Sequence, residues 1–300
     1  MKDFSALKEI LDGARIAYSE KEYFSSISTF RVGGKIALTI FPGSDAELIS
    51  VLDCLRNSGI EPFVAGRGSN ILPDDDTYDG VVIKTDKVNR YYAAEDTIYA
   101  QCGLSTNKLC AVAMENSIDG FTDFYGIPGS VGGLLHNNGG AFGSSAEDIF
   151  VRGAFYDFDS GKMCELTRED MCFSYRSSIL MSRRMFAVSA VFKGKPGRRE
   201  DIAERMSRTA ERRRETQPLE YPSAGSVFLR PEGDFAGRLI EECGLKGCSV
   251  GGAEVSVKHA GFIVNKGGAT SSDIRTLIDH IKKTVYERFG VMLRCEIEIL

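Results

Sequence analysis

Residues 124–143 read Phe-Tyr-Gly-Ile-Pro-Gly-Ser-Val-Gly-Gly-Leu-Leu-His-Asn-Asn-Gly-Gly-Ala-Phe-Gly. Seven of these twenty residues are glycine, and glycine loses more conformational entropy on folding than any other residue. Such a density indicates either turns with positive φ or a ligand that lies very close to the main chain. Backbone N–H groups in a glycine-rich bend form a concave surface that suits a phosphate. We therefore expect this stretch to form one wall of a site for a large anionic cofactor.

A flexible surface loop is the alternative explanation of the same stretch. Apolar residues are interleaved with the glycines, namely Ile127, Val131, Leu134 and Leu135. Side chains of this kind favour burial, and Pro128 stiffens the bend. The sequence therefore favours an ordered segment.

Composition narrows the class of protein. A length of 300 residues suggests about two domains. The net charge of −5 argues against a general nucleic-acid binder, and neither a run of membrane-spanning length nor a signal peptide is visible. The eight cysteines show no C-x-x-C pair and no zinc spacing, so no metal is expected. We expect a cytoplasmic monomer without nucleic-acid or membrane partners.

A second glycine-rich segment follows the predicted strand 62–65 and reads Gly66-Arg67-Gly68-Ser69-Asn70. It fails the dinucleotide fingerprint, because Ile71 stands where the third glycine is needed. Its backbone N–H groups and short polar side chains suit a phosphate, and a tight turn explains the segment equally well. From the residues alone, both interpretations stay open.

Hydrophobic periodicity predicts a chain of mixed helices and strands. Helices are expected at 3–18, 45–58, 105–116, 200–216, 234–244 and from about 272 onward. Strands are expected at 36–41, 62–65, 81–84, 97–102, 151–158, 186–192, 253–257, 261–265 and 291–299. Glycine, proline and charge occur together at 193–199, which is typical of a linker.

One segment matches the pattern of a serine hydrolase. Residues 247–251 read Gly-Cys-Ser-Val-Gly, with Ser249 in the place of the nucleophile. That motif needs a strand before it and a helix after it, whereas the predicted order here is the reverse. A serine hydrolase that uses Ser249 therefore stays an alternative of low weight.

Several motifs occur together in one order along nearly the whole chain. They are Thr29–Gly34, Gly66–Asn70, Gly126–Gly133, Tyr175-Arg176-x-Ser178, Gln217-Pro218, Pro222–Phe228, Ala236–Ile240, Gly244–Gly247 and Phe289–Glu296. Each is weak alone, but their joint order is specific. In this respect the chain resembles the UDP-N-acetylmuramate dehydrogenase family, also called UDP-N-acetylenolpyruvoylglucosamine reductases, in its shorter subtype.

The resemblance implies an α+β fold. Its FAD-binding domain would be of the vanillyl-alcohol-oxidase type with two subdomains, joined to a separate α+β substrate-binding domain. On this basis we expect the first subdomain at 1–80, completed by a C-terminal strand at 291–300. The second subdomain would span 81–196 and the substrate-binding domain 197–290.

The resemblance also implies a chemistry. NADPH would reduce FAD, and hydride would pass to the CH₂ carbon of the enolpyruvyl group of a nucleotide-sugar substrate, in peptidoglycan precursor synthesis. Arg176 and Glu296 would stabilise the negative charge, and Ser226 would supply the proton. Positioned charge lowers such a barrier most. A catalytically inactive FAD-binding relative is the second alternative, and retention of all three residues argues against it.

The same resemblance assigns residues to the cofactor. They are Gly66, Arg67, Gly68, Ser69, Asn70, Gly126, Ile127, Pro128, Gly129, Ser130, Gly132, Gly133, Asn138 and Gly140. The chain departs from the family pattern at Gly139, at Arg230, where the family often has asparagine, and at Gly261, where the family has asparagine. We expect these departures to affect substrate affinity more than flavin binding.

Overall fold

The computed structural model describes residues 3–300, which fold into two compact units. The first unit contains the described residues up to Glu20, then Ala37–Arg67 and Asp79–Glu211. The second contains Lys21–Ile36, Gly68–Tyr78 and Arg212–Leu300. Each unit is therefore assembled from separate stretches of the chain. The three-part division expected from the resemblance stays a prediction.

Helices are interspersed with runs of consecutive strands along the chain. Within residues 3–300 the α-helices are α1 (Ser5–Ala14), α2 (Phe24–Ile27), α3 (Asp45–Asn57), α4 (Thr106–Glu115), α5 (Val131–His136), α6 (Ala146–Ile149), α7 (Arg199–Thr216), α8 (Ala236–Glu242) and α9 (Ser271–Phe289). The strands are β1 (Ala17–Ser19), β2 (Ile36–Phe41), β3 (Pro62–Ala65), β4 (Ile71–Leu72), β5 (Tyr78–Lys84), β6 (Tyr91–Ala94), β7 (Thr97–Gln101), β8 (Ile118–Asp119), β9 (Gly140–Ala141), β10 (Ser144–Ser145), β11 (Phe150–Asp157), β12 (Lys162–Thr167), β13 (Met185–Lys193), β14 (Lys195–Pro196), β15 (Ser249–Val250), β16 (Ala253–Val255), β17 (Ile263–Asn265) and β18 (Glu298–Ile299).

The first sheet of the first unit has the strand order β1-β2-β5-β3. Strand β1 runs antiparallel to β2, and β3 runs parallel to β5. Helices α1 and α3 bury Leu7, Leu11, Leu48 and Leu52 in the core of this sheet. The predicted helix at 3–18 is too long, because Arg15 takes a left-handed conformation with φ 56° and ends α1. The residues that follow pair with β2 instead.

The second sheet of this unit has the order β12-β11-β13-β7-β6, and its strands are antiparallel. Helices α4 and α5 contribute buried residues to its core. Helix α5 lies inside the glycine-rich stretch, where Val131, Leu134 and Leu135 are buried. A flexible surface loop is therefore the wrong explanation of that stretch.

In the second unit, helix α9 packs its apolar side against the antiparallel sheet β15-β16-β17. Thr270 and Asp273 form a capping box at its start, and Gly290 ends it in a left-handed conformation with φ 67°. Ile274, Leu277 and Ile281 are fully buried, as the periodicity predicts.

The predicted closing strand at 291–299 is broken into two parts. Leu229 N–H donates to Arg294 O, and Glu296 N–H donates to Val227 O. The chain then changes partner, because Glu298 N–H donates to Asn70 O and β18 pairs with β4. A change of partner interrupts a strand that a continuous pattern predicts.

Among residues 3–300, no helix combines the length and the apolar character that a bilayer span requires.

Candidate functional site

The segment Gly66–Asn70 begins where β3 ends. A Cβ added to Gly66 would lie 2.1 Å from Ser130 Oγ, which no real side chain tolerates. Ser130 belongs to the glycine-rich stretch and is only 2% exposed. The two stretches predicted to bind the cofactor therefore touch in the first unit, between Gly66 and Ser130.

Backbone hydrogen bonds hold the glycine-rich stretch in place. The N–H of Val131 donates to Leu104 O at 2.8 Å, and the N–H of Gly132 donates to Cys102 O at 2.7 Å. Ser130 Oγ caps α5 by accepting the N–H of Gly133 at 3.4 Å. This segment is thus an ordered wall, anchored on the chain that follows β7.

The glycines of this stretch serve different purposes. Gly126 has a φ of 89°, which favours glycine. A Cβ on Gly140 would lie 2.0 Å from Ser144 O, because β9 and β10 pair closely there. At exposed Gly133 the nearest atom to an added Cβ is Ser130 Oγ at 3.6 Å, an ordinary contact. The packing of the protein therefore leaves Gly133 unexplained, which suits a site whose ligand needs the space.

Arg176 lies beside this stretch. Its Nη2 donates to Gly140 O at 2.9 Å, and its guanidinium lies 5.5 Å from the centre of the Tyr175 ring. Arg176 has a φ of 52°, a left-handed conformation that costs a residue with a side chain about 1–2 kcal/mol. Strained residues of this kind cluster at functional sites.

Asn138 is also left-handed, with a φ of 40°, and is 3% exposed. Its Nδ2 donates to Ser174 O at 2.9 Å, and its Oδ1 accepts the N–H of Glu147 at 3.0 Å. The side chain is thus used to hold neighbouring segments together. The structure brings Asn138, Gly140 and Arg176 into one local network.

The second unit brings Ser226, Glu296 and Asn70 together on neighbouring segments. The N–H of Val227, next to Ser226, donates to Gly261 O at 2.9 Å. Val227 O accepts the N–H of Glu296 at 2.8 Å, and Asn70 Nδ2 donates to Glu296 O at 3.1 Å. These hydrogen bonds fix the backbone of the residue that follows Ser226 and the backbone of Glu296 itself.

His259 lies near Ser226, a proximity that no sequence pattern predicts. His259 Nδ1 accepts the N–H of Gly261 at 3.1 Å. A Cβ on Gly261 would lie 3.1 Å from that nitrogen and 3.2 Å from Ser226 Oγ. Desolvation by burial lowers the pKa of His259, which favours the neutral ring that this acceptor role requires. The only sequence signal was the departure at position 261.

Lys84 was also missed. It ends β5 after three fully buried residues, Val81, Val82 and Ile83, and is itself only 7% exposed. Its Nζ donates to Gly66 O at 2.5 Å. The only available signal was a lysine at the end of an apolar run, because its pairing with the end of β3 is seen only in the structure.

The serine-hydrolase alternative is not favoured. Ser249 lies in β15, and β15 turns back through Gly251, which has a φ of 52°, to pair with β16. A nucleophile of that class sits between a strand and a helix.

Comparison with known proteins places the chain in a family. It is 41% identical over 292 residues to the UDP-N-acetylenolpyruvoylglucosamine reductase of Caldicellulosiruptor saccharolyticus, covering 97% of this chain and 94% of that protein. It is 44% identical to the enzyme of that name from Fervidobacterium nodosum, covering 90% of this chain and 87% of the relative. The chain belongs to the UDP-N-acetylenolpyruvoylglucosamine reductase family. The resemblance stated from the motifs is confirmed.

Two domain models agree with membership of this reductase family. The UDP-N-acetylenolpyruvoylglucosamine reductase C-terminal domain matches residues 217–300. The FAD binding domain matches residues 36–167. FAD is therefore confirmed as the cofactor.

Solved structures confirm the predicted fold class of this reductase-family chain. The reductase from Thermus caldophilus matches with a TM-score of 0.81 and 28% identity, over 95% of this chain and 98% of that one. A variant of berberine bridge enzyme matches with a TM-score of 0.51 and 17% identity, over 64% of this chain and 43% of that one. At that identity the second likeness concerns the fold alone.

The residues of the first unit fit FAD. The glycine-rich stretch is held by hydrogen bonds to the segment that follows β7, and there is space beside Gly133 that the protein does not fill. Lys84 places a buried cation against Gly66. Backbone donors and a positive charge suit a pyrophosphate group. These features agree with the cofactor that the reductase family uses.

Proposed function

We propose that the protein reduces UDP-N-acetylenolpyruvoylglucosamine to UDP-N-acetylmuramate, using NADPH and bound FAD, in peptidoglycan precursor synthesis. The observation that carries this proposal is the 41% identity over nearly the full length of a reductase of that name. When bound, FAD supplies a carrier that takes hydride from NADPH and delivers it to the CH₂ carbon of the enolpyruvyl group.

Arg176 is proposed to stabilise the charge that hydride delivery creates. The added electron pair leaves negative charge on the neighbouring carbon and its carboxylate. A guanidinium is a permanent cation whose planar donors match a carboxylate. The hydrogen bond to Gly140 O supports the role, because it orients the side chain before the substrate arrives.

Ser226 is proposed to give the proton and Glu296, in its protonated form, to donate a hydrogen bond to the same carboxylate. A serine hydroxyl is a weak acid in water, so its contribution depends on placement. The hydrogen bonds of Val227 to Gly261 and to Glu296 support this assignment, because they fix the backbone beside both residues.

The cofactor-binding assignment is likewise proposed. It includes Gly66–Asn70 and the stretch from Gly126 to Gly140, with the contact between Gly66 and Ser130 as support. The partner would be a small nucleotide sugar. We also propose that the protein acts as a cytoplasmic monomer without a nucleic-acid partner.

Replacement of Ser226 by alanine tests the proposal, with Ser249→Ala as the matched control. NADPH should bleach the flavin absorbance of Ser226→Ala at the wild-type rate, while its recovery on addition of substrate should slow by about 10²-fold or more, the usual size of a proton-transfer contribution. Ser249→Ala should behave as wild type in both half-reactions.

Three results would contradict the proposal. If the flavin absorbance of Ser226→Ala recovered at the wild-type rate, Ser226 would not be the proton donor. Wild-type protein that bleaches but never recovers with substrate would be an inactive relative. If Ser249→Ala slowed the half-reactions and Ser226→Ala did not, the result would favour the alternative that assigns catalysis to Ser249.

A further inference from the structure

Lys84 occupies an unusual position for a lysine. It ends the buried strand β5, and its side chain is 8% exposed. Its Nζ has two partners in the first unit, Gly66 O at 2.5 Å and Asp86 Oδ2 at 3.0 Å. Burial of an ammonium group is costly unless it is paired and hydrogen-bonded, so the position calls for a reason.

The hydrogen bond to Gly66 fixes the orientation of one peptide unit. A trans peptide is planar, and its C=O and N–H point in opposite directions. Because the carbonyl of Gly66 faces Lys84, the N–H of Arg67 faces away from it. Lys84 therefore sets the direction of a backbone donor in the loop assigned to the cofactor.

The charge of Lys84 also acts through this peptide. Hydrogen bonds arranged in a chain polarise one another. A cation that pulls on Gly66 O makes the N–H of Arg67 a stronger donor to an anion on its far side. The carboxylate of Asp86 acts in the opposite sense, because its negative charge lies 3.0 Å from the same ammonium group and offsets part of the positive charge. The side chain of Asp86 is 46% exposed.

We propose that Lys84 is a positioning residue for the pyrophosphate of FAD and acts through the Gly66–Arg67 peptide. The inference deepens the proposed function, since it rests on the assignment of this loop to the cofactor. It separates two roles that are otherwise easily confused. If the Lys84–Asp86 pair were only structural, removing either partner would weaken FAD binding. If Lys84 serves the pyrophosphate, removing Asp86 strengthens binding.

The experiment is a titration of the full-length apoprotein with FAD, followed by quenching of flavin fluorescence. Lys84→Met, which keeps the side-chain stem and removes the charge, should raise the Kd for FAD by about tenfold or more, the usual effect of a hydrogen bond to a charged group. Asp86→Asn should lower this Kd. Lys87→Met is the matched control, because Lys87 is exposed three residues later, and it should leave the Kd unchanged.

Riboflavin, which lacks the pyrophosphate, is the second probe. Its Kd should be equal in wild type and Lys84→Met. An unchanged FAD Kd in Lys84→Met, equal losses for FAD and riboflavin, or weaker FAD binding in Asp86→Asn would each overturn the inference. Should Lys84→Met fail to fold, Asp86→Asn still decides the sign. Wild-type protein that does not bind FAD would instead overturn the proposed function.

Discussion

Replacement of Gly261 by alanine should disturb Ser226 without altering the rest of the protein. The added Cβ would lie 3.0 Å from His259 Cε1, 3.1 Å from His259 Nδ1 and 3.2 Å from Ser226 Oγ. Carbon atoms in contact prefer about 3.5–4.0 Å, so the imidazole or the hydroxyl must move by several tenths of an ångström. The φ of Gly261 is outside the left-handed range, so alanine adds no backbone strain there.

The size of the effect follows from these distances. Overpacking a well-packed site lowers the free energy of unfolding by about 1–3 kcal/mol. We expect a loss at the lower end of this range, because only one methyl group is added. A misplacement of 1 Å at a reacting group costs about 10²-fold in rate. A shift of several tenths of an ångström should therefore slow proton donation by about tenfold.

Stopped-flow absorbance separates the two half-reactions. In Gly261→Ala the bleaching by NADPH should keep its wild-type rate, and the recovery with substrate should slow by about tenfold. Gly237→Ala is the matched control. Gly237 lies in α8, and an added Cβ would meet His259 Cε1 and Gly261 N at 3.5 Å, an ordinary contact.

Two outcomes would refute the reasoning. Wild-type recovery in Gly261→Ala would show that the contact does not govern Ser226. Equal slowing of both half-reactions would show that the whole protein is disturbed.

Two further predictions concern stability. In a urea titration, Gly68→Ala should lower the free energy of unfolding by more than about 3 kcal/mol, because its Cβ would lie 2.0 Å from Ile27 O and its φ is 62°. The control Gly59→Ala, with a φ of 66° and no atom within 4 Å, should lower it by only about 1 kcal/mol. Similar losses in the two variants would refute the steric argument. Burial lowers the pKa of His136 below its ordinary value of 6.5, so the unfolded chain takes up the proton first as the pH falls. The contribution of neutral His136 to the free energy of unfolding is therefore full above pH 6.5 and is lost progressively below it. In urea titrations from pH 7 to pH 5, the free energy of unfolding should fall less steeply for His136→Gln than for wild type. An equal fall in the two proteins would be the contrary result.

Local sequence predicts those helices and strands whose bounds do not depend on contacts with distant parts of the chain. The strands at Ile36–Phe41 and Pro62–Ala65 have the bounds that their apolar runs and flanking glycine and proline indicate. The buried side of α9 follows from its helical spacing. In each case the signal is carried by adjacent residues, so a single sequence contains it.

Other features depend on residues far apart in the chain. The strand expected at 291–299 is divided because its partner changes from Val227 to Asn70. Helix α5 was not predicted, since glycines at 132 and 133 carry little helical preference. The hydrogen bond from Lys84 to Gly66 links the ends of two strands, and no local pattern encodes it. The family's motifs indicate the candidate site, whereas the residues that support it are brought together only by the fold.

The second unit draws its core from both ends of the chain. Phe30 and Val32 pack in one cluster with Ala224, Val227 and residues up to Ile297. At a synthesis rate of about 5–20 residues per second, Ala224 is added roughly 10–40 s after Phe30. Until then Phe30 and Val32 have only Leu72 from this buried cluster available to them. A chain cut anywhere between residues 32 and 224 would leave both fragments without a complete core for this unit.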